Sequence, residues 1–294
     1  MNYRIESIEQ LELVIKNAIE SKDRELTLNF SSHKSYIIPE SIGDICSLEK
    51  LAILNESLAI IYIEEIPATL GKLCNLKELR IYDCSLEYLP DSIGNLKNLE
   101  ELQLVDLRNL KEIPDSIGKL KNLDELVLNG CRGSLAKLEK LSDNIGQLTS
   151  LKHLMINATA IHSLPESLGN LINLKHLIIS DNNHLYQLPH SIGKLHKLVE
   201  LNLEGGYVKI LPESIGQLRN LNYLNVSNNQ LEYLPESIGN LRNLEHLNLI
   251  SNQLTQLPES IGNLSGLKSD IDAYDNPLNG LPESASKLQV EILY

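Results

Sequence analysis

Two histidines, three glutamates and three aspartates stand where their spacing could support chemistry. His153 and His176 lie one interval apart, as do Glu78, Glu101 and Glu125, and Asp270, Asp272 and Asp275 crowd the segment SDIDAYDNP. Paired imidazoles could hold a metal or change charge near neutral pH. No carboxylate or cysteine completes a ligand set beside this pair. The aspartates resemble part of a calcium loop, yet the sharp-turn position lacks glycine and Leu281 stands where a bidentate glutamate belongs. No Ser/His/Asp set, phosphate-cradling glycine loop or metal-ligand spacing occurs. The chain is therefore read as a non-enzyme that uses no cofactor or metal.

These residues share an interval because the chain is repetitive. LPESIGQLRNLNYLNVSNNQLEY from Leu211 is followed by LPESIGNLRNLEHLNLISNQLTQ from Leu234, and LPESIGNL returns at Leu257. Prolines 39, 67, 90, 114, 165, 189, 212, 235, 258 and 282 mark the register, with Ser142 in place of one. A glycine follows each by four residues until Ser286 breaks the rule. Spacings are 23 or 24, except for 28 before Pro67 and before Ser142. Such a period means one supersecondary unit stacked on copies of itself, with function sought on a surface. Within each unit the frame LxxLxxLxVxxNxLxxLP predicts a strand at the pair spaced by two, such as Leu224 and Val226, with Tyr223, Asn225 and Ser227 facing out. Proline then starts a short helical or irregular arm. Asn182, Asn229, Asn252 and Asn276 occupy a turn where a side-chain amide can both donate and accept. Cys84 and Cys131 replace it, and Leu107 and Gly206 depart from it.

The pattern LPESIGNLxNLxxLxLxxNxLxx resembles that of intracellular leucine-rich-repeat proteins of the Ras-group type, found in plants and animals, and of bacterial leucine-rich-repeat effectors. It covers roughly residues 26 to 290. The resemblance implies an α/β right-handed solenoid, or horseshoe, whose parallel sheet lines the concave face and binds other proteins. It carries no catalytic residues. Residues 26–294 are then one domain of about ten to eleven repeats, closed by a last strand in LQVEILY.

Composition narrows the partners. A net charge of −13 opposes nucleic acid, which demands a basic stripe. The longest apolar run, Leu58 to Ile63, is far below the roughly 20 residues of a membrane span, and MNYRIESIEQ carries no apolar signal region. Four cysteines with none at an end suit a reducing, cytoplasmic compartment, or a host cytosol if the protein is a delivered effector. Residues 1–25 are expected to form an amphipathic capping helix, with Ile5, Ile8, Leu11, Val14, Ile15, Ala18 and Ile19 on its apolar face. An open terminal edge would allow a weak dimer; otherwise the chain is a monomer.

Aligned units give three exposed columns on the concave face. The candidate partner-binding residues are Glu78, Arg80, Tyr82, Glu101, Gln103, Val105, Glu125, Val127, His153, Met155, His176 and Ile178. Val105, Val127, Met155 and Ile178 form an apolar seam in a polar field, either an interface core or residues that merely suit strands. The stacked glutamates point to a basic partner surface or to a solvated face. The insert RGSLAKLEKLSDNIG could place Leu135, Leu138 and Leu141 at helical spacing, and LAIIYIEEIP could add strand; either could contact a ligand or be neutral. The reading is a protein-binding scaffold, adaptor or effector. The alternative is the substrate-recognition part of a ubiquitin-ligase assembly.

Overall fold

The computed structural model describes residues 1–30, 35–55, 62–63, 65–106, 108–130 and 136–294. They form two compact units, Met1–Leu151 and Lys152–Tyr294, each taken by itself below.

In the first unit, parallel strands follow the order of the chain: Asn2–Ile5, Glu25–Phe30, Lys50–Asn55, Glu78–Tyr82, Glu101–Val105 and Glu125–Asn129. The second unit does the same with His153–Asn157, His176–Ile178, Glu200–Asn202, Tyr223–Asn225, His246–Asn248, Ile271–Asp272 and Ile292–Leu293. Along the strands of five or six residues, apolar side chains two apart point inward, as Leu102 and Leu104 do, and are almost wholly buried. The expected fold is present: stacked repeats with a parallel sheet, and an N-terminal helix.

Each repeat returns through a 3-10 turn of five residues, tighter than an α-helix. Pro90, at φ −68 and ψ 143, leads the chain into one of them, and the other repeat prolines adopt nearly the same angles. Ser142 does so too, at φ −61 and ψ 142, and adds a cap by accepting from Asn144 N. The motif glycine exists for close approach: a Cβ on Gly94 would sit 2.4 Å from Ser116 O of the next turn. The glutamate of LPES also has a task. Glu166 accepts from His190 N and Ser191 N at 3.1 and 2.9 Å, and Glu213, Glu236 and Glu259 accept from the matching serine N–H one repeat on.

The turn after each strand needs a left-handed residue, and Asp83, Asp106, Asp181, Asn228, Ser251 and Asp275 supply it at φ between 53 and 58 for the aspartates and 52 to 55 for the other two. Gly205 takes φ 71 at the same place. The next position carries the asparagine ladder. Asn229 Oδ1 accepts from Val208 N at 3.0 Å, while its amide is shared among Leu203 O, Val226 O and Ser227 O at 2.7 to 3.2 Å. Asn182, Asn252 and Asn276 repeat the arrangement. Cys84 offers only a thiol to Tyr82 O at 3.4 Å, and burial pushes that thiol up to about 12. Cys131 and Leu107 lie outside the described residues.

Several expectations are corrected. The N-terminal segment begins with the strand Asn2–Ile5, so Ile5 ends a strand rather than opening the helix, which runs Ile8–Ser21. Ser7 stops the helix from starting earlier: it accepts from Gln10 N, and Gln10 reaches back to accept from Glu6 N. Ile8 is consequently exposed. In the first long repeat the expected extra strand is present at Tyr62–Ile63, which pairs with Ser35–Tyr36 in a small separate sheet, the rest of that apolar run lying outside the described residues. In the second, Leu138 and Leu141 are buried but residues 136–141 form no helix, and Leu135 lies outside the described residues.

Candidate functional site

The first unit builds its solvent-facing side from directly opposed positions. Glu78, Glu101 and Glu125 are register partners, as are Arg80, Gln103 and Val127, and then Tyr82, Val105 and Asn129. All nine are half-buried. The glutamates do not stand as a bare like-charge ladder. Lys50 Nζ lies 2.7 Å from Glu78, and the Arg80 guanidinium reaches Glu101 at 2.9 Å and Glu78 at 3.5 Å. Gln103 Nε2 donates to Glu125 at 3.1 Å, and the Tyr82 hydroxyl donates to Gln103 Oε1. Burial works against the Arg80 charge, but the Glu101 hydrogen bond and the surrounding carboxylates outweigh it and hold its pKa up. Burial also raises the Tyr82 phenol; Arg80 opposes this, and Glu101 and Glu125 reinforce it. The result is a braced polar mesh with Val105 and Val127 set into it.

The second unit presents a different surface. His153 and His176 stack face to face, centroids 4.7 Å apart and planes 5° apart, and His176 Nδ1 lies 2.8 Å from Glu200 Oε2. Met155 and Ile178 are register partners beside them. Further along the same row come Asn202, Asn225 and Asn248. Each accepts at Oδ1 from the N–H two residues on, 3.0 Å away in every case. That local bond occupies the N–H of Glu204, Ser227 and Ile250, while Leu203 N, Val226 N and Leu249 N still bond the next strand; each of these strands is three residues long. Ser180, Glu204, Ser227 and Ile250, which continue the third of the expected exposed columns, fall beyond the strands, and the N–H of Ser180 is taken by Asn157 Oδ1 one repeat back. Asn225 and Ser227 are in fact buried, since Asn225 is flanked by Asn202 and Asn248 and also bonds Glu204.

Among the described residues no group of three or more His, Cys, Asp or Glu converges as metal ligands. The aspartates of SDIDAYDNP have structural partners: Asp270 accepts from Glu291 N, Asp272 lies in a strand, and Asp275 adopts the left-handed turn. Among the described residues no helix is long and apolar enough to cross a membrane.

The family described as a leucine-rich repeat region matches residues 24–140, 126–222 and 200–277. The chain belongs to the leucine-rich-repeat family. Leucine-rich repeats generally mediate protein–protein interaction. No curated protein matches this chain. Among solved structures, it is 28% identical to the plant peptide hormone receptor RGFR1, solved in complex with RGF2, with TM-score 0.59, covering 92% of this chain and 49% of the receptor chain. The internalin InlF of Listeria monocytogenes, at 20% identity, TM-score 0.56 and coverage of 97% and 93%, shares the fold. So does the leucine-rich-repeat domain of the type III effector XopL, at 21%, TM-score 0.62, and 97% and 81%.

Leucine-rich-repeat surfaces of this chain hold one feature that the sequence reading passed over. Asn75, Asn98, Asn122, Asn220 and Asn243, in the arm motif xNL, each donate to a carbonyl one repeat back at 2.6 to 2.9 Å. The recurrence of that asparagine immediately before the arm leucine, three residues ahead of each strand, was the available signal.

Proposed function

We propose that this leucine-rich-repeat protein is a non-enzymatic binding module that captures a partner protein on the solvent-facing side of its sheet. The observation that carries the reading is the mesh of the first unit. Arg80, Glu101, Tyr82, Gln103 and Glu125 hold one another in place around Val105 and Val127, so little side-chain freedom is lost when a partner docks. In the second unit, Met155, Ile178 and the stacked His153 and His176 supply a separate set of contacts. A wholly basic partner surface is disfavoured in the first unit, where Lys50 and Arg80 already answer much of the glutamate charge. The role is that of a scaffold, adaptor or effector, and the reducing compartment proposed for it rests on the cysteine content of the sequence. Residues 26–294 are proposed to act as one binding domain behind an N-terminal cap.

Val127→Glu and Met155→Glu, made separately, test the reading. Both side chains are half-buried on the outer side, so the fold should survive, and each variant should lose proteins that the wild type retrieves from a lysate. Two folded variants that retrieve the wild-type set would end the claim for this surface.

A further inference from the structure

A cavity of about 1230 Å³ opens among the return arms of the second unit. Its basic groups come from one place in three successive repeats, KLHKL, QLRNL and NLRNL, which sets His196, Arg219 and Arg242 in a row. Among the described residues, neither guanidinium takes part in an ion pair. The contrast with the first unit is direct. There the equivalent cations are occupied by backbone: Lys97 Nζ donates to Gly94 O at 2.5 Å, and Lys121 Nζ to Gln147 O at 2.8 Å. The arm asparagines bond alike in both units: Asn98 and Asn122 donate to Cys74 O and Lys97 O, and Asn220 and Asn243 to His196 O and Arg219 O at 2.6 and 2.7 Å. Those bonds brace the cavity wall, and the side chains of Arg219 and Arg242 are exposed to solvent. Glu213 also lines the cavity, and its Oε2 is engaged by Ser237 N at 3.2 Å.

We propose that this cavity binds a multiply charged oxyanion. Two arginines in a row repel one another, and in a chain of net charge −13 their gathering is stabilised when an anion sits between them, with the His196 ring beside it as a further hydrogen-bonding group. The planar fork of arginine matches phosphate and carboxylate oxygens two at a time. The volume exceeds what a single phosphate fills. This site is separate from the sheet face and does not rest on the proposed capture of a protein.

Calorimetric titration of the full chain with pyrophosphate, and separately with citrate, at constant ionic strength tests it. One-to-one saturable binding is expected, weakened about tenfold by Arg219→Gln or by Arg242→Gln and lost in the double variant, with Lys97→Gln behaving as wild type. Arg219 and Arg242 are exposed, so a far-UV melt should show these variants folded. Tighter binding of pyrophosphate assigns a phosphate ligand, and tighter binding of citrate a polycarboxylate; both support the oxyanion class. Heats no larger than those of sodium chloride at equal ionic strength, or binding that persists in the double variant, would overturn the proposal.

Discussion

The two units share one frame and solve its polar problem in different ways. In Met1–Leu151 the outer surface is held by charge: Lys50 with Glu78, Arg80 with Glu101, Arg24 and Lys77 with Glu49, and Lys111 with Glu87. The described turns there have Cys84 at the ladder position. In Lys152–Tyr294 amides take over, with Asn182, Asn229, Asn252 and Asn276 in the turns and Asn202, Asn225 and Asn248 on the face. Leucine packing and the proline and glycine register are common to both, so they set the backbone. The polar residues decide something else: how firmly each turn is tied, and how strongly the surface answers to salt.

The largest expected effect lies in the turns. Asn229→Ala removes one acceptor and one donor group that serve four backbone partners in a buried turn. Each orphaned backbone group costs on the order of 1–3 kcal/mol, so a loss of about 3–5 kcal/mol is expected. Cys84→Ala in the first unit gives up a weak thiol contact and a little packing, at about 1 kcal/mol. Urea unfolding of both variants measures the difference, and equal losses would show that the asparagine ladder does not distinguish the units.

Much of this was legible in the sequence because the repeat is read many times over. A period fixed by Pro90, Gly94 and Leu102 recurs with each repeat, and an error at one unit is corrected by its neighbours. The columns of the outer face followed from the same register, and the strands align Glu78, Glu101 and Glu125 as partners. What the columns concealed was diagonal contact. Arg80 belongs to one row but bonds carboxylates in the row beside it, which a column read singly does not reveal. Local competition was equally hidden. Asn225 looks like an exposed strand residue by alternation, yet its side chain accepts from Ser227 N and is buried at the end of a three-residue strand. The four-residue strand Asn2–Ile5 is too short to stand out from the helical period that follows it.

A smaller effect separates the two faces. Arg80→Gln leaves Glu78 and Glu101 without their shared guanidinium, and because these groups are partly exposed the cost should stay below about 1 kcal/mol at low salt. It should shrink further in 1 M salt, where exposed charges are screened over about 3 Å. Asn248→Ser in the second unit removes no charge, so whatever it costs should not move with salt. Chemical denaturation by urea at two salt concentrations reads both. A salt-independent Arg80 variant would mean that the mesh of the first unit rests on packing rather than on charge.

The smallest effect has opposite sign in the two units and is read by pH. Burial raises the Asp83 carboxyl; Arg108 opposes this and Asp106 adds to it, so the folded pKa lies above the unfolded one. Ionised Asp83 therefore costs stability at neutral pH, and that cost fades as pH falls through its folded pKa. Glu166 is the reverse. Burial opposes ionisation there, but the N–H groups of Ser191 and His190 outweigh it and hold its pKa below the usual value. Its contribution is complete above the unfolded pKa and disappears as pH falls through the folded one. Asp83→Asn should thus raise the thermal midpoint slightly at pH 7, keeping the Asn55 contact and the left-handed turn that asparagine tolerates. Glu166→Gln should lower it slightly at the same pH. Both differences should close as the buffer is taken to pH 3, from opposite sides. Midpoints that diverge on acidification would show that neither carboxylate is governed by the partners it meets in its own turn.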